Sequence, residues 1–305
     1  WLTISAPAGV SLRVVNGYWE RRMRGAILGK YGGPLQGGYF RRRLAGAAMG
    51  LVLVLWHAQV WAVDTPTGVT HSLDRAPEQG LAGRDQRIRS SRGDRVDLYV
   101  AGDNASSRAI LLFHEWWGLT DAVRAEADRY AALGYYVAAL NVYGKPATEN
   151  PRVARRNMRE LDDRLARRRA RAAIDLLAGD GRRVAVLGWC FGGRQALDAA
   201  IESPGLVRAA VAYYGDLETN PERLARLRAP VLAIYADRDR WITPARADAF
   251  RDAMAAAGRE LEFLSFDAGH AFANPTARDY DGEAAAAARA RTDAFIARHL
   301  GEEGS

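Results

Sequence analysis

Short apolar runs that alternate with helical stretches constrain the fold of this 305-residue chain more than any other feature. A chain that alternates buried strands with helices builds a mostly parallel sheet, because each crossover deposits a helix on one face of that sheet. The apolar runs predict strands at residues 96–100, 109–113, 135–140, 184–187, 207–213, 231–235 and 261–266. The sequence therefore predicts the α/β class, with a mostly parallel central sheet and helices on both faces.

The stretches between these runs predict helices at 121–133, 152–177, 194–201, 245–257 and 283–300. The first run, 96–100, alternates polar and apolar residues, which is typical of an exposed edge strand. No internal repeat is visible in the sequence. We therefore expect a single domain over residues 95–305, preceded by an irregular lead-in over residues 63–94.

The net positive charge of the chain, +7, comes entirely from its first 62 residues. These residues hold eight Lys or Arg and one Glu, whereas the remaining 243 residues hold 35 charges of each sign. A body without net charge lacks the basic surface that attracts phosphate backbones, so no nucleic-acid partner is expected.

Residues 41–62 have the three-part pattern of a secretory signal peptide. Three arginines precede the apolar run 44–56, and Val60 and Ala62 stand where cleavage requires small residues. We expect cleavage after Ala62, an upstream extension over 1–40, and export to the periplasm or the medium with no membrane attachment afterwards. The alternative is a membrane anchor, but thirteen apolar residues fall short of the roughly 20 that a bilayer requires.

A glycine-rich turn around the only cysteine follows the apolar run 184–187. It reads Gly188-Trp189-Cys190-Phe191-Gly192-Gly193 and leads into a helical stretch. Strand, Gly-x-Cys-x-Gly and helix are the setting of a nucleophile elbow, in which glycines avoid clashes where the strand and the helix cross. The turn also places the thiol at the positive end of the helix, which favours thiolate. We interpret Cys190 as a nucleophile; the alternative is a buried structural cysteine.

His270 is the preferred candidate for the base that accepts the thiol proton. It follows the last predicted strand, at the carboxyl end where α/β sheets carry their active-site residues. His71 lies in the lead-in and His299 in the final helix, so both are interpreted as solvated or packing residues. A single cysteine also excludes an intramolecular disulfide and a zinc site built from several thiolates.

The acid that orients the imidazole is expected between the nucleophile and the base in chain order. The loop after the strand 231–235 supplies two candidates, Asp237 and Asp239. We favour Asp239, because it stands three residues before Ile242, which leads into a helix started by Pro244. An aspartate in such a loop is otherwise a turn former.

Taken together, these motifs resemble the dienelactone hydrolase (carboxymethylenebutenolidase-like) family of the α/β-hydrolase superfamily. The resemblance covers residues 95–300 and rests on Gly188 to Gly193, the turn at Asp239, Gly269-His270-Ala271-Phe272, and His114-Glu115-Trp116-Trp117-Gly118. It implies an α/β-hydrolase fold and hydrolysis of a carboxylic ester or lactone by a triad of Cys190, His270 and Asp239. It also implies that Glu115 pairs with the resting thiol and swings away when substrate binds; the alternative is a helix cap or a surface acid.

The resemblance further implies an oxyanion hole made by the backbone N–H groups of Trp116 and Phe191. No metal and no organic cofactor are implied. Well-known members of the family bind the substrate's carboxylate with an arginine four residues beyond the histidine, where this chain has Asn274. We therefore do not expect dienelactone itself to be the substrate.

Two features of the sequence bear on the substrate. The nine arginines of residues 152–171 are an alternative source of a carboxylate clamp, although their i,i+4 spacing from acids indicates a solvated helical face. Aromatic residues on the predicted active-site loops suit an apolar or aromatic acyl group. These residues are Trp116, Trp117, Phe191, Trp241 and Phe272, and each has core packing as its alternative role.

The sequence thus predicts a hydrolase of small-molecule esters or lactones that works through an acyl-enzyme on its cysteine. The same triad would also serve a thioesterase or a peptidase. Two alternatives come from other classes: a redox-reactive thiol, which usually needs a second cysteine, and a non-catalytic binding module, which needs no triad. A monomer or a small homo-oligomer is expected.

Overall fold

The computed structural model describes residues 10–12 and 80–301, and these residues form an α/β fold. The predicted signal peptide at 41–62 and most of the upstream extension lie outside the described residues. Within them, nine strands form one sheet in the order β1-β9-β8-β7-β6-β4-β5-β3-β2. The strands are β1 Val10–Leu12, β2 Arg84–Arg89, β3 Arg95–Ala101, β4 Arg108–Phe113, β5 Tyr136–Leu140, β6 Arg183–Trp189, β7 Val207–Tyr213, β8 Val231–Ala236 and β9 Leu261–Phe266.

The middle of the sheet is parallel, as the sequence predicts. Strands β4 to β9 pair in parallel throughout, whereas β1, β2 and β3 join antiparallel at the two sides. The strands of the parallel part are almost continuous apolar runs because helices cover both of their faces.

Two predictions about the margins of the sheet were wrong, and one marginal strand was not predicted. Strand β3 is not an edge strand, because it pairs with both β2 and β5. Strand β2 lies inside the segment 63–94 that we expected to be irregular. Ile88 is its only apolar residue, so the sequence shows no alternation of apolar and polar residues, and the strand is held by backbone pairing with β3. Strand β1 lies in the upstream extension and pairs with β9, whose free edge is a template for another strand.

The described helices of eight residues or more are α1 Asp121–Ala132, α2 Pro151–Arg159, α3 Asp163–Ala178, α4 Phe191–Glu202, α6 Pro244–Ala256 and α7 Gly282–Leu300, and a single turn, α5 Pro221–Leu224, precedes β8. They form two layers. Buried residues of α3, α4 and α6 pack on one face of the sheet, and those of α1 and α7 pack on the other. None of the described helices is long and apolar enough to cross a membrane.

The single helix predicted over 152–177 is two helices. Asp162 ends the connection between them, since its side chain accepts hydrogen bonds from the N–H groups of Arg164 and Leu165 and caps α3. Glu160 therefore does not pair with Arg164 and instead contacts Lys145, at 3.1 Å. The arginine-rich segment is not a uniformly solvated face either, because Arg169 is buried and donates to the carbonyl oxygens of Arg95 and Val142.

Candidate active site

Cys190 occupies a strained turn between β6 and α4. Its backbone has φ 52° and ψ −118°, a conformation that L-residues rarely adopt. A Cβ at Gly188 would lie 2.0 Å from the carbonyl oxygen of Gly192, and a Cβ at Gly192 would lie 2.2 Å from that of Phe113. The strand and the helix cross so closely that only glycine fits at both positions, so the turn has the backbone geometry that a nucleophile elbow requires.

The three residues predicted as a triad form one hydrogen-bonded chain. His270 Nε2 lies 3.2 Å from Cys190 Sγ, and His270 Nδ1 lies 2.6 Å from Asp239 Oδ2. Because an ionised carboxylate can only accept, Nδ1 carries a proton and donates it to Asp239, and Nε2 faces the sulfur. The arrangement has the geometry of nucleophile, base and orienting acid.

Asp239, rather than Asp237, is the acid that reaches the histidine. Its side chain is fully buried, and its second oxygen accepts hydrogen bonds from the N–H groups of Trp241, at 2.7 Å, and Ile242, at 3.0 Å. Asp237 is exposed to solvent. Asp239 thus closes its own turn with one oxygen and holds the imidazole with the other, so the two roles predicted for an aspartate in this loop are compatible.

The electrostatics of His270 favour its cationic form. Burial lowers the pKa of His270, but its hydrogen bonds with Asp239 and Cys190 outweigh burial and raise that pKa to about 10. A histidine that is cationic at neutral pH favours the thiolate form of a neighbouring cysteine, because opposite charges attract. The pair is therefore suited to forming a thiolate next to an imidazolium.

Strained backbone is concentrated at this site. Within the described residues, the non-glycine positions with positive φ are Cys190, Tyr214 at 35° and Ala271 at 60°. Tyr214 follows β7, and Ala271 follows His270 in the loop after β9. Residues held in this region cost about 1–3 kcal/mol each and persist only where the surrounding structure determines them.

Glu115 lies in a buried polar cluster beside the triad. Its carboxylate accepts a hydrogen bond from Asn274 Nδ2, at 2.5 Å, and one from the Tyr214 hydroxyl, at 3.4 Å. Burial raises the pKa of Glu115 above its usual range, and the hydrogen bonds and the charge of His270 offset this only in part. Cys190 contacts His270 while Glu115 contacts Asn274 and Tyr214, so the arrangement is that of an assembled triad and not of a thiol paired with Glu115.

The loop after β4 is fixed by two aromatic side chains. His114 is fully buried; its Nδ1 lies 2.6 Å from the carbonyl oxygen of Glu115, and its Nε2 lies 3.1 Å from the N–H of Val142. The Tyr143 hydroxyl donates to the carbonyl oxygen of Trp116, at 3.3 Å. Hydrogen bonds therefore hold the peptide groups on both sides of Trp116: His114 binds the one before it, and Tyr143 binds the one after it.

The predicted pocket residues divide into two groups. Trp116, Trp117 and Phe191 are half-buried on the loops around Cys190, and Trp241 is 68% exposed. Phe272 is fully buried against Tyr214 and Phe266, so it supports the histidine loop from beneath and does not reach a substrate. The prediction of Phe272 as a pocket residue was therefore wrong, and Asn274 contacts Glu115 instead of open space.

Sequence reasoning did not find the roles of Tyr214, His114 and Tyr143. Tyr214 packs its ring against His270, with centroids 5.2 Å apart, and donates to Glu115. Their positions in the sequence could have identified them, because each residue lies within three positions of the carboxyl end of a central strand. Sheets of α/β proteins carry their active sites at that edge.

The fold and the site together define an α/β-hydrolase. The family model described as "Dienelactone hydrolase family" matches residues 96–300. That match covers more than half of the chain, which therefore belongs to the dienelactone hydrolase family, a family of hydrolases.

Similar proteins agree with this assignment. The chain is 30% identical over 207 residues to a carboxymethylenebutenolidase-type protein of Salmonella typhi, a match that covers 60% of this chain and 75% of the relative. A protein of the same type from Methylorubrum extorquens is 30% identical over 182 residues, or 53% of this chain and 62% of the relative. The chain thus spans less than two thirds of that second relative.

Solved structures show the same architecture. A dienelactone hydrolase-type protein from Klebsiella pneumoniae has a TM-score of 0.65 and 25% identity, covering 72% of this chain and 100% of that one. A dienelactone hydrolase-like promiscuous phosphotriesterase from metagenomic libraries has a TM-score of 0.64 and 25% identity, with the same coverage.

Proposed function

We propose that this protein hydrolyses carboxylic esters or lactones of small molecules through an acyl-enzyme on Cys190. The observation that carries the proposal is the unbroken chain of hydrogen bonds from Cys190 Sγ through His270 to the buried Asp239. A redox thiol or a binding module needs no such chain. Family membership supports the same class of reaction.

The reaction proceeds in two halves. Cys190 and His270 form a thiolate–imidazolium pair in which Nε2 holds the proton of the thiol, and the thiolate attacks the carbonyl carbon to form a tetrahedral oxyanion. As the C–O bond breaks, the His270 imidazolium donates its proton to the leaving oxygen, which leaves a thioester on Cys190. Water then gives a proton to His270 and attacks the thioester carbon. The C–S bond breaks, the carboxylic acid leaves, and the sulfur remains as a thiolate beside the His270 imidazolium, which restores the starting pair.

Backbone N–H groups of Phe191 and Trp116 stabilise the oxyanion in this proposal. Phe191 is the first residue of α4, so its N–H is one of the four that have no acceptor within the helix. Trp116 lies on the loop after β4, which packs on the elbow where Gly192 meets the backbone of Phe113 and His114. Loss of one such donor typically costs about 2.7–4 kcal/mol of transition-state stabilisation.

Glu115 is proposed to control the thiol between turnovers. Burial is the main cause that raises the pKa of Tyr214, and the charges of Glu115 and Cys190 raise it further, so both groups act on the same hydroxyl. A rotation of Glu115 away from Asn274 would bring it to the thiol when substrate is absent. A carboxylate there disfavours a second negative charge on the sulfur and so limits oxidation in an oxidising compartment.

The test is a substrate panel assayed with the wild type, Cys190→Ala and Cys190→Ser. The panel holds aryl esters, lactones, thioesters, short peptides and an aryl phosphotriester, the last because of the similarity to a phosphotriesterase. We expect esters or lactones to be turned over fastest and Cys190→Ala to lower that rate by at least about a thousandfold. Intact-mass spectrometry should detect the acyl group on the wild type. A Cys190→Ala variant as active as the wild type would exclude the mechanism.

Export is a separate proposal, motivated by the signal-peptide pattern at residues 41–62. Cleavage after Ala62 would remove β1 and leave β9 as the edge of the sheet. Mass spectrometry of the protein recovered from a native-like host should give an N-terminus near Val63, whereas an N-terminus that retains residues 44–56 would favour the anchor. Size-exclusion chromatography of the same material should show a monomer or a small homo-oligomer.

A further inference from the structure

His114 is a buried histidine that the proposed reaction does not use. Its ring is closed off from solvent and lies between the loops that follow β4 and β5. The Val142 N–H must donate to Nε2, so Nε2 carries no proton. Nδ1 therefore carries the proton and donates it to the carbonyl oxygen of Glu115. The contacts thus assign a single neutral tautomer.

The carbonyl that His114 holds belongs to a particular peptide group. The C=O of Glu115 and the N–H of Trp116 are two ends of one planar unit, and in a trans peptide they point in opposite directions. Fixing the oxygen in space therefore fixes the direction of the N–H. The same oxygen also accepts from the N–H of Gly118, at 3.2 Å, so two donors hold this plane.

The His114 ring also touches the second proposed donor. It stacks on the ring of Phe191, with centroids 6.0 Å apart and an interplanar angle of 23°, and Tyr143 packs against both rings. In addition, Gly192 packs directly on the backbone carbonyl of His114. One side chain thus contacts the loop of Trp116 and the elbow of Phe191.

We propose that His114 is a positioning residue that sets the oxyanion hole, because its Nδ1–H orients the peptide group that presents the Trp116 N–H to the substrate. This inference rests on the proposed function. Donation to the carbonyl also polarises that peptide, which strengthens the N–H as a donor. His114 itself touches no substrate and transfers no proton.

Two substitutions separate the two hydrogen bonds of His114. His114→Asn keeps an amide donor near the position of Nδ1, whereas His114→Gln keeps an amide acceptor near the position of Nε2. His114→Phe keeps the ring and removes both bonds. Because a tilted donor is weaker but not lost, we expect His114→Gln and His114→Phe to lower kcat about 10- to 100-fold with little change in KM, and His114→Asn to stay within about threefold of the wild type.

A second readout reports on the oxyanion itself. The wild type should prefer an oxygen ester to the matching thionoester, whose sulfur is a weaker acceptor for the two N–H groups. This preference should shrink in His114→Gln and persist in His114→Asn. The melting temperature of each variant is measured alongside. If His114 acts by positioning, the kcat values of the variants should not follow their melting temperatures.

Two results would overturn the inference. One is an equal kcat for the Asn and Gln variants, and the other is a loss in His114→Asn that is as large as in His114→Phe while the Asn variant melts like the wild type. Cys190→Ala distinguishes this failure from failure of the proposed function. If Cys190→Ala is inactive and the Asn and Gln variants are equal, only the role of His114 is wrong.

Discussion

Acid should destabilise this protein through His114. Burial lowers the pKa of His114 to about 4, from an ordinary value of 6.5. In the unfolded chain the imidazole takes up a proton near pH 6.5, whereas in the folded protein it stays neutral until about pH 4. Stability is therefore lost as the pH falls from about 6.5 to about 4, and no further loss arises from this residue below that range.

The size of the effect follows from the difference between the two pKa values. At about 1.4 kcal/mol for each tenfold change in proton affinity, His114 should account for about 3 kcal/mol of lost stability across this range. That loss is a large part of the 5–15 kcal/mol that is typical of a folded domain. The structural cause is that protonated Nε2 would face the Val142 N–H without an acceptor.

The assay is urea unfolding of the wild type and His114→Gln at several pH values between 4 and 7.5. Glutamine keeps an acceptor for the Val142 N–H and does not titrate. Between pH 7.5 and pH 4, the unfolding free energy of His114→Gln should therefore fall by about 3 kcal/mol less than that of the wild type. Glu115 has a raised pKa, so its protonation opposes the effect by stabilising the folded state at low pH, but it is present in both proteins and cancels in the difference. Parallel pH profiles for the two proteins would refute this reasoning.

Three further results are expected. Asp239→Asn should lower kcat by up to about 10,000-fold because it disturbs the imidazole tautomer, while the exposed Asp237→Asn should keep nearly the wild-type rate; a reversed order would reassign the acid. Gly192→Ala should prevent soluble folding, measured by expression and circular dichroism, because its Cβ meets the backbone of Phe113, whereas Gly80→Ala, with nothing within 4 Å, should fold normally; a well-folded Gly192→Ala would contradict the close crossing. Glu115→Gln should speed alkylation of Cys190 by iodoacetamide at neutral pH without substrate, and an unchanged or slower rate would remove Glu115 from control of the thiol.

The central sheet and the hydrogen-bonded chain of Cys190, His270 and Asp239 could be predicted from the sequence because their signals are local. Each parallel strand is an apolar run, and the elbow glycines are required by contacts within a few residues of Cys190. The choice of Asp239 over Asp237 also rested on a local pattern, and the distances agree with it.

The parts that the sequence did not predict depend on distant partners. Strand β2 is polar apart from Ile88 and pairs through its backbone, so no apolar period marks it. Trp241 and Phe272 are both aromatic residues on site loops, yet one is largely exposed and the other fully buried. The contacts of His114 with Val142 and of Glu115 with Asn274 join loops that are far apart in the chain, and no short motif encodes such pairs.

The left-handed residues beside the triad have a consequence for anyone who engineers this protein. Replacing Ala271 with glycine would relieve a backbone conformation that costs an L-residue about 1–2 kcal/mol, so a screen for heat resistance alone would select this change. At Tyr214 the same replacement would also remove a fully buried ring, which costs about 3–5 kcal/mol and outweighs the relief. The change at Ala271 would free the backbone of the residue that follows His270, leaving the ring of Tyr214 and the imidazole's own hydrogen bonds to hold it in place. Directed evolution for thermostability should therefore hold the codon of Ala271 constant and diversify the outer helices instead.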